Sequence, residues 1–261
     1  MTFARHDRVT TVRNRVLAAL SVDDFRALKP FLKHVVLPGR AVLQDAGKRV
    51  DQVDFIEDGL VSHFSGSRAG FVETAIVGCF GYVGIAPVLG APVASQRSIV
   101  SLPGSALRIA ADDLTGVMQQ RPQIRDEMLR YLQALIAQNS QSVLCAAKHE
   151  IHQRLARWLL LAKDRIQSDV LLVTHDLLAS SMGVRRAGVT NALLQFEADG
   201  MLQKTRGALR VVDRPALERR ACDCYQIVRD AYAWAQAPQC ADHQLELPHP
   251  ARHAVAIAGT A

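Results

Sequence analysis

The stretch from Val173 to Val212, VTHDLLASSMGVRRAGVTNALLQFEADGMLQKTRGALRVV, constrains this chain more tightly than any other. Thr174 can cap a short helix that carries Leu178, Ala179 and Met182 on one face. Gly183 then supplies the backbone angles of a tight turn that residues with a Cβ resist. A second helix from about Arg186 places Val189, Ala192, Leu193 and Phe196 at steps of three and four. Two short strands, MLQKT and ALRVV, flank Arg206-Gly207 as a hairpin. Helix, glycine turn, helix and hairpin in this order predict a winged helix-turn-helix.

Burying those apolar faces leaves Arg185, Arg186, Ala187, Gly188, Thr190 and Asn191 at the outward, leading end of the second helix. In a helix-turn-helix that end enters the major groove of double-stranded DNA. An arginine can fork onto a guanine edge and an asparagine onto an adenine edge. Thr174 and the helix N-terminus can meet phosphates. Lys204, Arg206 and Arg210 stand in a run, 200–212, that holds no acid, and suit the flanking backbone. The competing reading is a helical packing module whose arginines are only solvated. The coincidence of four motif parts in order favours DNA binding.

Upstream, the periodicity changes twice. Residues 12–33 read as short helices, with Ser21 as an N-cap. Residues 34–110 read as an all-β unit, a roll or barrel, cut by turns at Pro38-Gly39, Asp58-Gly59 and Gly66 to Gly70. Within it QRSIVSL and SALRIA read as two separate strands. Asp112-Asp113 opens a short helix, and a long one runs from Pro122 to about Ala147. Leu129, Ile136 and Val143, with Leu132, Asn139 and Ala146, repeat every seven residues as a seam. The seam either packs on the chain's own β-unit or pairs two parallel helices. A single Asn in a seam sets register, so Asn139 favours the pair. Residues 151–166 form another amphipathic helix.

The chain of 261 residues has 49% hydrophobic residues and a net charge of +6, enough apolar content for two packed domains and a balance that suits a polyanion. No apolar run approaches the ~18 residues of a membrane span, and the N-terminus has no apolar signal region. A cytoplasmic, membrane-independent protein is expected. Five cysteines at irregular spacing argue against a disulfide framework. Cys222 and Cys224, two apart on a helix, would point to opposite sides and chelate poorly. His149 and His152 lack the HExxH spacing and read as a polar helix face. The tail holding Cys240, His243, His249 and His253 reads as unstructured, with metal binding as the alternative. No metal site, no catalytic residue and no enzyme motif is expected: GxSxG, P-loop and dinucleotide fingerprints are missing.

The order of β-roll, long helix and winged helix-turn-helix resembles the Crp/Fnr family of bacterial transcription regulators. The likeness spans about residues 12–225. It rests on VDFIEDGLVS (53–62), Gly78 to Gly84 with PVLG (87–90), RYLQALIAQNSQS (130–142), RLARWLLLAKDRI (154–166) and LLASSMGVRRAGVTNALLQFEADGML (177–202). The resemblance implies an α+β protein: an N-terminal double-stranded β-roll, jelly-roll-like, a long dimerisation helix and a C-terminal winged helix-turn-helix. It divides the chain into a cyclic-nucleotide-binding-like sensor (1–118), the dimerisation helix (119–147), the DNA-binding domain (148–218), and a C-terminal helix with a disordered tail (219–261). It also implies a homodimer on a palindromic DNA site, with RNA polymerase as a further partner. A module that binds or converts a small molecule, with the C-terminal domain as mere scaffold, is the alternative.

Any effector, a cyclic nucleotide or another small molecule, would be expected in the roll near the long helix. In nucleotide-binding members a Gly-Glu-Leu-Gly element holds the ribose. Here the matching run is Gly81, Tyr82, Val83 and Gly84, and Tyr82 cannot act as an anionic acceptor. The phosphate-holding pair survives as Arg97 and Ser98. Asn139 and Ser140 fall where members place polar residues that contact the base. The iron–sulfur centre of oxygen-sensing members needs an N-terminal cysteine cluster, whereas the first cysteine here is Cys79. No haem ligand stands out. At the DNA surface, Arg186 matches the family's base-reading arginine. Ala187 stands where many members have Glu and Asn191 where many have Arg, which implies a different half-site.

Overall fold

The computed structural model describes residues 12–68 and 70–237. The tail cysteine and histidines, Cys240, His243, His249 and His253, lie outside the described residues.

The described residues begin with two short helices, α1 (Arg15–Ala19) and α2 (Val22–Leu28). Asn14 and Ser21 cap them, each accepting a backbone N–H through its side-chain oxygen. Six antiparallel strands follow: β1 (Lys33–Leu37), β2 (Val42–Gln44), β3 (Gln52–Ser67), β4 (Gly70–Val77), β5 (Tyr82–Val83) and β6 (Arg97–Ala110). Their order is β1-β6-β3-β4, with β2 also on β6 and β5 on β3. The α+β class and the β-roll are as the sequence implies.

Two expected breaks within the roll are not breaks. Asp58-Gly59 does not end a hairpin strand, and QRSIVSL and SALRIA are one strand. β3 and β6 run 16 and 14 residues and pair along most of their length, with register shifts between Ile56 and Val61. Gly59 has φ +82, and a Cβ there would lie 2.6 Å from the carbonyl oxygen of Leu102. A Cβ on Gly104 would meet the backbone of Asp58 and Gly59. The two glycines let the strands cross closely and bend together, so Asp58-Gly59 makes a bulge rather than a turn.

Helix α3 (Ala111–Gln120) leads into the long α4 (Pro122–Lys148), which has Pro122 in its first turn. One face of α4, with Ile124, Met128, Tyr131, Leu132 and Leu135, is buried on the chain's own core. The opposite face leaves Leu129, Ile136 and Val143 exposed. The expected seam is thereby split: its Leu129 row is free, and Leu132 packs inward because it sits on the side of the helix that faces the roll.

The C-terminal half comprises α5 (Ile151–Arg165), β7 (Val170–Leu171), α6 (His175–Met182), α7 (Arg186–Ala198), β8 (Leu202–Thr205), β9 (Ala208–Val211) and α8 (Arg214–Arg220). Strands order as β7-β9-β8. A last helix, α9 (Cys224–Ala235), returns to lie along α4. Cys222 precedes α9 rather than sharing a helix with Cys224. The expected divergence of their side chains does not occur; both are buried in one cluster with Cys145. Among the described residues no helix is long and apolar enough to cross a membrane.

Replacing Gly59 by Ala should cost about 1–3 kcal/mol, because it loads a positive-φ site that also lacks room. Urea denaturation should show a lower midpoint at unchanged slope.

Candidate nucleic-acid interface

Thr174 caps α6, its Oγ1 accepting the N–H of Leu177 at 3.1 Å. The helix ends on Gly183 at φ +62, where the N–H groups of Gly183 and Val184 return to Ser180 and Ala179. This left-handed cap turns the chain within three residues into α7. Val189, Ala192, Leu193 and Phe196 are completely buried, as their spacing predicts. The opposite, solvent-facing side carries Arg185, Arg186, Ala187 and Asn191, all exposed. Leu194 and Gln195 extend the same surface. Neither was singled out in the sequence, because outward apolar and amide positions on a helix carry no periodic signal.

Two residues expected at this surface have inward duties. Gly188 is half-buried, and a Cβ there would lie 2.9 Å from Cδ1 of Ile151, so its small size lets α7 approach α5. Thr190 is also half-buried, with Oγ1 2.9 Å from Nδ1 of His175, which ties α7 to α6.

Arg186 lies 3.2 Å from Asp176 in the first turn of α6, and both side chains are about two-thirds exposed or more. An ion pair this open is worth ~0–1 kcal/mol, so the guanidinium can leave it for a better acceptor. Lys204 is held more firmly. Its Nζ is 2.7 Å from Glu197, whose carboxylate also accepts the Lys204 N–H, and the hydrogen bond from Lys204 holds that carboxyl below its usual range. Lys204 therefore braces the wing against α7 and offers only part of its charge outward. Arg206 sits exposed at the hairpin tip beside Gly207, at φ +74, and Arg210 is exposed on β9. Thr174, His175, Arg186, Lys204 and Thr205 line one concavity of about 280 Å³, where the N-terminus of α6, the leading end of α7 and the wing meet.

The expected effector residues are not gathered in the same way. Gly81 to Gly84 are buried, and β5 pairs Tyr82 with Phe55. The Tyr82 ring packs 4.7 Å from that of Tyr131, and its hydroxyl donates to the carbonyl of Met128 at 3.2 Å. Gly81 lies directly against the Tyr131 ring. Arg97 and Ser98 pair instead with Phe64 and His63, further along β3. Arg97 is 3.0 Å from Asp45, and Ser98 Oγ is 2.9 Å from Nδ1 of His63. Both members of the expected phosphate pair are thus engaged within the chain. On α4, Ser140 donates to the carbonyl of Ile136, while the buried Oδ1 of Asn139 has no partner among the described residues.

A family model described as a Crp-like helix-turn-helix domain matches residues 153–220. No curated protein matches the chain in sequence. Solved structures do match in fold. FixK2 from Bradyrhizobium japonicum aligns at TM-score 0.64 and 13% identity, covering 73% of this chain and 98% of that one. The c-di-GMP-responsive global regulator CLP of Xanthomonas campestris aligns at TM-score 0.60 and 14% identity, covering 74% and 100%. A CRP-family transcriptional regulator from Thermus thermophilus aligns at TM-score 0.59 and 17% identity, covering 72% and 96%.

Burial pulls the His63 imidazole from its usual 6.5 down to about 4. The unfolded chain therefore binds a proton between these values that the folded chain refuses. The stability contributed by neutral His63 is complete above pH 6.5 and is lost as pH falls toward 4, by about 2–3 kcal/mol. Denaturation at pH 7, 5 and 4 should show this decline, and His63→Gln should flatten it.

Proposed function

The chain has the fold of the Crp/Fnr transcription regulators and carries a Crp-like helix-turn-helix domain at residues 153–220, and we propose that it is a sequence-specific DNA-binding transcription regulator that acts as a homodimer. The observation that carries this reading is the exposed leading end of α7, with Arg185, Arg186 and Asn191 beside a basic wing. Entering the major groove, Arg186 would exchange Asp176 for the O6 and N7 of guanine, and Asn191 would address adenine. Thr174, the N-terminus of α6, Arg206 and Arg210 would meet phosphates on either side. Lys204 would serve mainly to hold the wing at the right height.

The exposed stripe of Leu129, Ile136 and Val143 supports the dimer. It repeats at seven residues on a 27-residue helix and continues past the unpartnered Oδ1 of Asn139. Two-fold pairing along α4 would set two α7 helices about 34 Å apart, one DNA turn, on a palindromic site. RNA polymerase would be the partner through which such a dimer regulates transcription.

An effector could shift this protein only by binding one arrangement of the DNA-binding domains better than another. The packing supports control by abundance or by a protein partner over a cyclic nucleotide held at Gly81 to Gly84, since Tyr82 and Tyr131 fill that space with their own rings.

Selecting a binding sequence from random DNA tests the proposal directly. On the selected site, Arg186→Ala should weaken binding by about 1–3 kcal/mol per half-site and leave non-specific binding nearly unchanged. Unchanged affinity for the selected site would refute the docking. Ile136→Glu, which places a charge in the stripe, should convert the dimer to monomer in sedimentation velocity runs without loss of helical content.

A further inference from the structure

Four metal-binding side chains converge at the joint between the long helix and the DNA-binding domain. Cys145 comes from the last turns of α4, and His149 is the C-cap of the same helix. Cys222, from the link between α8 and α9, and Cys224, the first residue of α9, arrive some 75 residues later. The Cys145 and Cys222 sulfurs are 3.6 Å apart, and Cys224 Sγ is 3.5 Å from Nδ1 of His149. All four donor atoms lie within 4.8 Å of one another. The three cysteines are buried and His149 is half-buried.

The 3.6 Å S···S and 3.5 Å S···N separations match the edges of a tetrahedron around one ion. With Zn–S of about 2.3 Å and Zn–N of about 2.0–2.1 Å, tetrahedral edges come to about 3.8 Å for S···S and about 3.6 Å for S···N. A disulfide would need sulfurs at about 2.05 Å, and Cys145, Cys222 and Cys224 are free thiols. A multi-iron cluster spreads its four protein ligands over two or more irons and would hold ligands on different irons further apart. Three soft thiolates with one imidazole, a full set of four ligands, suit structural zinc above other divalent ions.

The surroundings fit as well. The other ring nitrogen of His149 faces Asp223 Oδ1 at 3.9 Å, the kind of outer carboxylate that orients a ligating imidazole. Three thiolates and a divalent ion leave one net negative charge. Arg157, whose positive charge acts on Cys145, has two buried guanidinium nitrogens, Nε and Nη1, without partners among the described residues.

We propose that Cys145, His149, Cys222 and Cys224 bind one zinc ion, which clamps α9 and the α8–α9 link onto the C-terminal end of α4. Binding displaces the thiol protons to solvent and involves no redox step. The ion would hold the start of the DNA-binding domain at a set angle to the long helix.

The full chain, purified reduced and without added chelator, should contain about one zinc per chain by elemental analysis. Exchange into cobalt(II) should give the intense visible bands and thiolate-to-metal charge-transfer band of a tetrahedral Cys3His site. Cys145→Ser and Cys224→Ser should each weaken cobalt binding at least 100-fold, whereas Cys79→Ser and Cys240→Ser should leave it unchanged. Chelation should lower the Tm of the parent protein and not that of the two serine variants. Reduced parent protein that takes up neither zinc nor cobalt would overturn the proposal without recourse to any variant. An iron–sulfur chromophore, or full cobalt affinity retained in Cys145→Ser and Cys224→Ser, would overturn it equally.

Discussion

Arg165 is the contact on which the arrangement of the two halves depends. It is the last residue of α5, and its side chain is 1% exposed. Its guanidinium donates to the carbonyl of Leu161 and to Oε1 of Gln138 on α4, and lies 4.6 Å from the ring centre of Tyr232 on α9. Its carbonyl accepts the N–H of Cys79, and a Cβ on Gly78 would lie 2.6 Å from its own Cβ. One residue thus joins the roll, the long helix, the first helix of the helix-turn-helix domain and α9. A cation buried without a carboxylate is tolerable only while hydrogen bonds and aromatic faces replace its water. Losing any one of those neighbours would therefore disturb all four elements together.

A second polar contact fastens the helix-turn-helix to the roll: Trp158 donates to the half-buried Glu73 at 2.6 Å. Within the helix-turn-helix, Arg154 ties α5 to α6 through the carbonyl of Met182 at 2.6 Å. Burial raises the Glu73 carboxyl above its usual range, while the hydrogen bond from Trp158 opposes that rise. These contacts engage the inner side of α5 and α6 and leave the outer end of α7 clear. The surface assigned to DNA is thus the one the intramolecular packing does not use. Arg165 and the Trp158–Glu73 contact are two places where polar groups of the roll and of the C-terminal half meet.

Some of this was legible residue by residue. Leu178, Val189, Leu193 and Phe196 announce two helices because burial on a helix follows a short, local period. Gly183 marks the turn because its left-handed φ is a local demand on one residue. The exposure of Arg186 and Asn191 follows from the same arithmetic, as what remains once the apolar face is placed. Asp58-Gly59 misled because a glycine after an aspartate signals turn and bulge alike; only the opposing backbone of Gly104 decides between them. The inward contacts of Gly188 and Thr190 were not legible, because helical spacing cannot say how close a neighbouring helix comes.

The amino-acid order alone determined the class of fold, the helix-turn-helix and the outward guanidinium and amide groups, since each depends on periods of a few residues. Tertiary structure alone decided what lies across long loops. It filled the space beside Gly81 with the Tyr131 ring, turned Lys204 toward Glu197 and brought Cys145 within reach of Cys222 and Cys224. The reason is physical: a hydrophobic period reports which side of an element is buried, while a polar contact between distant segments depends on chain paths that no local pattern encodes.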